Sequence, residues 1–282
     1  MTMTSVLASP RPRLRSAPVL SGPRYSLFVS TDPEHREAAQ RLRRRVFATE
    51  PGFRLPAGAG DLDEDRFDEY CDHVLVHDHH TDTTVGCYRM LSPEAARAAG
   101  GYYTATEFDL SVLDPFRLGA VEMGRACVDP AHRSGSVLTL MWAGILRYLE
   151  LTGHTWVFGC VSVPMRSHPG EVPGANALAV RDVVLSRHAA DPDQQVRPLR
   201  PVPVPVPATG PGQDSPIRAV LPPLMRGYLR LGARICGEPA HDPDFGVADF
   251  VALLSLNGAD QRYLERLRGA AEQADRAAGV PA

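Results

Sequence analysis

The residues best placed to do chemistry stand close together in the middle of the chain. Glu122 and Arg125 are three apart in Ala120-Val121-Glu122-Met123-Gly124-Arg125-Ala126-Cys127-Val128, an otherwise apolar run that reads as a central strand. A charge is not carried into such a strand without a partner. On a regular strand, residues three apart point to opposite faces. For both to reach one site the strand must bulge, and bulges are common where sheets open at active sites. The plainer alternative is two edge charges joined in a salt bridge. Just beyond, Asp129-Pro130 ends the strand and Arg133-Ser134-Gly135-Ser136 leads into a helix-like run to Thr152. A helix start offers unpaired N–H groups and a positive dipole end, which together suit a phosphate. The candidate chemistry is a carboxylate that activates an amine beside a turn that holds an anionic carrier.

The elements that must position these groups follow from periodicity and punctuation. Ser136 can cap a helix whose apolar positions Val137, Leu138, Met141, Ile145 and Leu149 form one stripe, widened by Trp142 and Tyr148 and ended by Gly153. His154 to Val163 is a near-continuous apolar strand of the kind found inside a sheet. Strand, helix and strand make a βαβ unit with parallel strands. Upstream, residues 25–30 read as a strand. Thr31 or Asp32 can cap the next helix, with Pro33 in its first turn and Glu34 completing a capping box after Thr31. That helix runs to about Ala48, with Ala38, Leu42 and Val46 inward. Arg41, Arg43, Arg44 and Arg45 spread around it, the usual pattern of a solvated face, although one Arg near the helix end could turn into a site.

Asp61 to Tyr70 is acidic, with Asp65 and Asp68 inside it: an exposed charged turn, or a mobile lid that receives a cationic substrate. Residues 73–77 and 85–91 form a hairpin, and Pro93 to Gly101 a short helix ended by Gly-Gly. His73, His77, His79 and His80 lack zinc-type spacing, so no metal site is expected. Downstream come a helix at 175–189 and a Pro-rich loop over about 193–216. In the latter, alternating Pro201 to Pro207 forbids a central strand. A helical or turn segment at 221–231, broken at Gly227 and Gly232, precedes a strand at 233–236, a loop at 237–246, a strand at 247–256 and a polar helix at 261–277. The expected architecture is α/β: a mixed sheet flanked by helices in one domain over residues 25–265. A disordered tail (1–24) precedes it and a polar helix and tail (266–282) follow.

Composition narrows the chemistry. All 30 basic residues are Arg. A lysine Schiff base, a lysine general base and a Walker-type phosphate lysine are therefore excluded. Any anion clamp must be Arg or backbone. A net charge of −3 implies no nucleic-acid partner. Five Cys without a Cys-x-x-Cys pair favour reduced thiols and a cytoplasmic setting. No apolar run reaches transmembrane length.

At this point a resemblance becomes specific. Arg133-Ser134-Gly135-Ser136 stands where the GNAT superfamily carries its carrier-phosphate loop, though the second glycine of that loop is absent. Asp63-x-Asp65-x-Phe67-Asp68, Gly86-Cys87-Tyr88-Arg89 and Glu122-Met123-Gly124-Arg125 resemble acyl-homoserine-lactone synthases. They resemble more closely the ornithine–acyl-carrier-protein N-acyltransferases of lyso-ornithine lipid synthesis. The second match continues through Phe108-Asp109-Leu110, Phe158-Gly159-Cys160, Gly227 to Ala233, Gly237-Glu238-Pro239 and Ala248-Asp249-Phe250, and covers roughly residues 25 to 265.

The resemblance implies a GNAT-like splayed central sheet with a C-terminal extension. It implies transfer of a 3-hydroxyacyl chain from acyl carrier protein to the α-amine of ornithine or a similar amino acid. Glu122 and Arg125 would be catalytic. Arg89, Asp65, Asp68 and Arg44 would bind the acceptor, and Arg133, Ser134, Gly135 and Ser136 the pantetheine arm. The donor is the 4'-phosphopantetheine thioester of acyl carrier protein, or coenzyme A, with no tightly bound cofactor. The missing glycine favours the carrier protein. A lipid product implies contact with the inner membrane face. The competing expectations are a homoserine-lactone-type signal synthase, an acyl-CoA-dependent N-acyl amino acid synthase, and a lipid-binding module without turnover.

Overall fold

The computed structural model describes residues 19–50, 52–53, 60–117, 119–133, 135–204 and 218–277. The strands are β1 (Leu20–Ser21), β2 (Tyr25–Ser30), β3 (Asp72–Asp78), β4 (Thr83–Leu91), β5 (Phe108–Asp109), β6 (Ala120–Val128), β7 (Trp156–Pro164), β8 (Arg197–Pro198), β9 (Arg234–Ile235), β10 (Ala240–Asp242) and β11 (Val247–Ser255). The helices are α1 (Pro33–Phe47), α2 (Pro93–Ala98), α3 (Asp114–Arg117), α4 (Ser136–Thr152), α5 (Ala175–His188), α6 (Pro223–Leu231) and α7 (Gln261–Ala277).

One mixed sheet runs in the order β1-β2-β3-β4-β6-β7-β11-β10, with β9 added on β11; β5 and β8 form a separate small pair. β6 and β7 run parallel, as a βαβ crossover through α4 requires. Their ladder covers only Ala120 to Glu122 against Trp156 to Phe158, although both strands continue well beyond it. The sheet therefore splays into a wedge. Gly159 stands at the parting: a Cβ there would collide with the Met123 carbonyl, so only glycine lets the strands lie this close before they diverge.

The two faces of the sheet differ. On one, α4, α6 and α7 cover a large apolar core that includes Leu27, Val76, Met141, Trp142, Tyr228 and Phe250. α7 belongs to this core through buried Leu264 and Leu267, and Arg268 Nε donates to Glu150 on α4 at 2.9 Å. The polar helix thus packs onto the domain. On the other face, α1 packs through Ala39, Leu42 and Val46 onto Leu75, Cys87 and Cys127, and α2 covers Leu91 and Phe158. This second face carries the buried charges.

Several local expectations are revised. Asp32, not Thr31, caps α1, its carboxylate accepting from Glu34 N at 2.9 Å. Gly135 (φ 101°) is the N-cap of α4 and Ser136 its first residue, so no side chain caps that helix. Leu138 is 37% exposed rather than part of the buried stripe. Gly227 lies inside α6 without breaking it, because the helix packs its apolar face through Met225, Tyr228 and Leu231. β10 forms within the expected loop, pairing with β11. β1 precedes the expected start at Tyr25 and pairs with β2. In the Pro-rich segment, Arg197–Pro198 pairs with β5 and Pro201 bridges to Ala240, so these residues are edge structure; residues 205–217 lie outside the described residues. Among the described residues, no helix is long and apolar enough to cross a membrane.

Candidate active site

β6 does bulge. Cys87 pairs with Cys127 but Arg89 pairs with Gly124, so β6 spends one extra residue against β4 between those pairs. Arg125 takes up the slack with φ 53°, a left-handed backbone that an arginine adopts only at a cost. The result is that Glu122 and Arg125, which a regular strand would point apart, line the same cavity.

That cavity is about 410 Å³ and opens between the splayed strands. Its wall is mostly apolar, with Met123, Met141, Val161 and Leu224 among the lining residues. Phe47, Phe53 and Phe245 form an aromatic cluster at one side, their centroids 5.9–6.4 Å apart. Arg125 lies between rings, 4.8 Å from the centroid of Tyr103 and 5.1 Å from that of Phe245. A wall of this size and composition suits an acyl chain with a few fixed polar contacts.

Glu122 is 4% exposed. Its Oε2 accepts from Tyr103 N at 2.7 Å, and its Oε1 accepts from Thr104 N at 2.6 Å and from Thr104 Oγ1 at 2.5 Å. Burial pushes its carboxyl above the usual range, and these donors and Arg89 only partly offset that. A raised carboxyl is a better proton acceptor for an amine than an exposed glutamate is.

The acidic stretch divides. Asp61, Glu64 and Glu69 stay exposed, whereas Asp63, Asp65 and Asp68 turn inward and meet three arginines. Arg43 forks onto Asp68 with bonds of 2.9 and 2.8 Å and pairs with Asp63 at 2.7 Å. Arg89 donates to Asp65 at 2.6 Å and to Asp68 at 3.1 Å. Arg125 reaches Asp65 at 3.1 Å and Asp63 at 3.4 Å. Burial by itself would raise Asp68, but Arg43 and Arg89 hold it well below the usual carboxylate range; Arg89 and Arg125 likewise hold Asp65 low against burial. The network fixes the bulge and the orientation of Arg125.

Of the residues expected in the site, Arg89, Glu122, Arg125 and Arg133 line the cavity, and Asp65 and Asp68 stand behind it as partners of the arginines. Arg44 does not join them. Its guanidinium bonds the Gly60 carbonyl at 2.7 Å on the outside of α1, and Arg43 is the one buried. Arg133 is at the rim, donating to the Val128 carbonyl at 3.1 Å and pairing with Glu50 at 2.7 Å. Gly135 and Ser136 form the uncapped start of α4, and Ser134 lies outside the described residues. Cys160 also lines the wall, but burial pushes its thiol well up, which leaves it a poor nucleophile.

Sequence reasoning missed Arg43, Tyr103, Thr104 and Phe245, and assigned no role to Asp249. Asp249 had the same signal as Glu122, a lone acid in an apolar strand. Tyr103 and Thr104 reach Glu122 through backbone N–H groups, which carry no side-chain signature, and Thr104 adds its hydroxyl.

Residues 42–143 match the Acetyltransferase (GNAT) domain family. The chain is 35% identical to an L-ornithine N(alpha)-acyltransferase of Brucella abortus over 81% of this chain and 83% of that protein. The chain belongs to the L-ornithine N(alpha)-acyltransferase family. A second family member, from Agrobacterium fabrum, is 33% identical over 84% of this chain and 83% of its own length. Among solved structures, FeeM, an N-acyl amino acid synthase from uncultured soil microbes, aligns over 83% of this chain and 92% of its own with a TM-score of 0.47 at 12% identity. As a member of the family the protein is an N-acyltransferase, and the wedge between β6 and β7 is its candidate active site.

Proposed function

We propose that the protein moves a 3-hydroxyacyl chain from the phosphopantetheine thioester of acyl carrier protein to the α-amine of ornithine. The observation that carries this reading is the bulge that brings Glu122 and Arg125 to one apolar cavity. The acyl chain lies along the methionines and the Phe47–Phe53–Phe245 cluster. Arg125, pinned by Asp63 and Asp65 between two rings, takes the acceptor carboxylate. Glu122 draws a proton from the α-ammonium, directly or through a water. The freed amine attacks the thioester carbon; a C–N bond forms, the C–S bond breaks, and the thiolate leaves and takes up a proton. Past Phe158, β7 has no β6 partner, so a backbone N–H there can serve the oxyanion. The uncapped start of α4 and Arg133 lie where the carrier's phosphate enters.

The test is purified protein with 3-hydroxyacyl carrier protein and ornithine, read by release of free thiol and by mass spectrometry of the amide. The reading predicts an N-acyl ornithine and a slower reaction with the matching acyl-coenzyme A. No amide with ornithine from either donor overturns it. Replacing Glu122 by Gln lowers turnover by about 10²–10⁴-fold; a wild-type rate removes it as the base.

A further inference from the structure

Glu107 lies just before β5 and Asp242 and Asp249 lie on the paired strands β10 and β11, and one carboxylate oxygen of each lies within 4.8 Å of the others. They are 2%, 5% and 3% exposed. Asp242 caps its own turn, accepting from Asp244 N at 2.8 Å and from Phe245 N at 3.1 Å. Asp249 accepts from Ser162 Oγ at 2.6 Å. Glu107 touches Asp249 and Tyr103, but among the described residues its Oε2 has no hydrogen-bond partner.

The contrast with the arginine network is sharp. Asp63, Asp65 and Asp68 each meet at least one guanidinium. Among the described residues, no cation pairs with Glu107, Asp242 or Asp249; Arg125 acts on Asp249 from a distance but is bound to Asp63 and Asp65. Buried carboxylates without a counter-ion are costly. The empty cluster relieves the cost by keeping protons: burial, then the charges of Asp249 and Asp242, push Glu107 up to about 9, and burial first pushes Asp249 up to about 6. Such a cluster is complementary to a cation that brings its own N–H donors. Asp242 and Asp249 line the same cavity as Glu122 and Arg125, so whatever enters for acylation passes them.

We propose that Glu107, Asp242 and Asp249 form the subsite for the side-chain ammonium of the acceptor, and so select a diamino acid. This rests on the acyltransfer reading above. The three carboxylates supply the acceptors for the three N–H bonds of a primary ammonium. Arg125 holds the carboxylate, and the α-amine is left to face Glu122. A proton held by the cluster leaves to solvent as the ammonium enters. A neutral side chain of the same length would leave the acids unpaired, which is how a site built for a polar group rejects its apolar analogue.

The test compares ornithine with norvaline, which has the same carbon skeleton without the terminal amine, in the wild type and in Asp249→Asn and Glu107→Gln. In the wild type kcat/KM should favour ornithine by roughly 10³-fold or more. Each variant should shrink that ratio at least tenfold, with the loss carried by KM for ornithine. An unchanged ratio overturns the subsite. Equal loss of kcat for both substrates also overturns it, and assigns Asp249 to proton transfer. Loss of wild-type activity in EDTA, restored by a divalent metal, overturns it in favour of a metal site. Thermal protection of the donor-free wild type separates this from the acyltransfer reading. Ornithine raising Tm while norvaline does not supports the subsite even if no amide forms; equal shifts, or none, overturn it.

Discussion

Thr104 gives both its backbone N–H and its hydroxyl to a single oxygen of Glu122. The hydroxyl stabilises the charged carboxylate against the burial that raises it. Replacing Thr104 by Val keeps the shape and the backbone bond but removes the hydroxyl. The expected result is a further rise in the Glu122 pKa. Because the base must be deprotonated, the acid limb of the kcat/KM–pH profile moves to higher pH, and Thr104→Ser moves it back. Loss of a buried bond to a charged group costs about 1.5–3 kcal/mol of stability. A pH profile that stays in place while stability falls would make Thr104 merely structural.

Arg125 holds a left-handed backbone at φ 53° in the middle of a strand pair. Strain of this kind is concentrated at functional sites. Arg125→Gly removes the guanidinium and the strain together, while Arg125→Ala removes only the guanidinium. Asp63 and Asp65 keep Arg43 and Arg89 in both variants. The glycine variant should therefore be the more stable by about 1 kcal/mol in urea unfolding. Both should show KM for the acceptor raised about tenfold or more. Equal stability of the two variants would mean that the bulge relaxes when the arginine is gone.

The elements were legible wherever one physical signal dominated. The stripe on α4, the apolar run of β7 and the Gly-Gly stop after α2 all appear at or within a few residues of their expected places. The β6 bulge was legible as a requirement, because Glu122 and Arg125 could share a site in no other way. The inward turn of the acidic stretch was not legible. Local sequence shows six acids in a row of ten residues as solvated, and only the fold brings Arg43, Arg89 and Arg125 to Asp63, Asp65 and Asp68. For the same reason Arg43 and Arg44 could not be told apart on α1. They differ by one step around the helix, and which one is buried depends on the partners, not on the residue. The trio joins Glu107 to Asp242 and Asp249 of the paired strands β10 and β11, more than a hundred residues later in the chain, and has no local trace beyond Asp249 itself.

The two adjacent arginines of α1 give a direct stability test. Arg43 is 1% exposed and forks onto Asp68, whereas Arg44 bonds one loop carbonyl at the surface. Arg43→Met leaves Asp63 and Asp68 short of a counter-charge in a buried setting, which costs about 3–5 kcal/mol. Arg44→Met should cost under about 1 kcal/mol. Urea midpoints at neutral pH measure both. Equal effects would mean that the Arg43 network is solvated and carries little of the stability.

His73 sets the pH dependence that is easiest to isolate. It is 1% exposed, its Nε2 lies 2.9 Å from the Asp68 carbonyl, and among the described residues its Nδ1 has no hydrogen-bond partner. Burial lowers its pKa to about 4, against an unfolded value of about 6.5. Between those two values the unfolded chain binds a proton that the native state refuses. Stability therefore rises with pH across that window and is lost as pH falls through it. The difference amounts to about 3 kcal/mol at full extent. The carboxylates held low by arginine lose most of their contribution below about pH 4, and His73→Phe leaves that part unchanged. Glu107, raised to about 9, has the opposite sign: its contribution is lost as pH rises toward that value. Because Glu107 and Asp249 act with that opposite sign across the same window, His73 is read by difference: as pH falls from 6.5 to 4 the urea midpoint of the wild type should drop relative to that of His73→Phe. That substitution keeps the ring volume and removes the titrating group, so parallel curves for the two proteins would show that His73 is protonated in the native state.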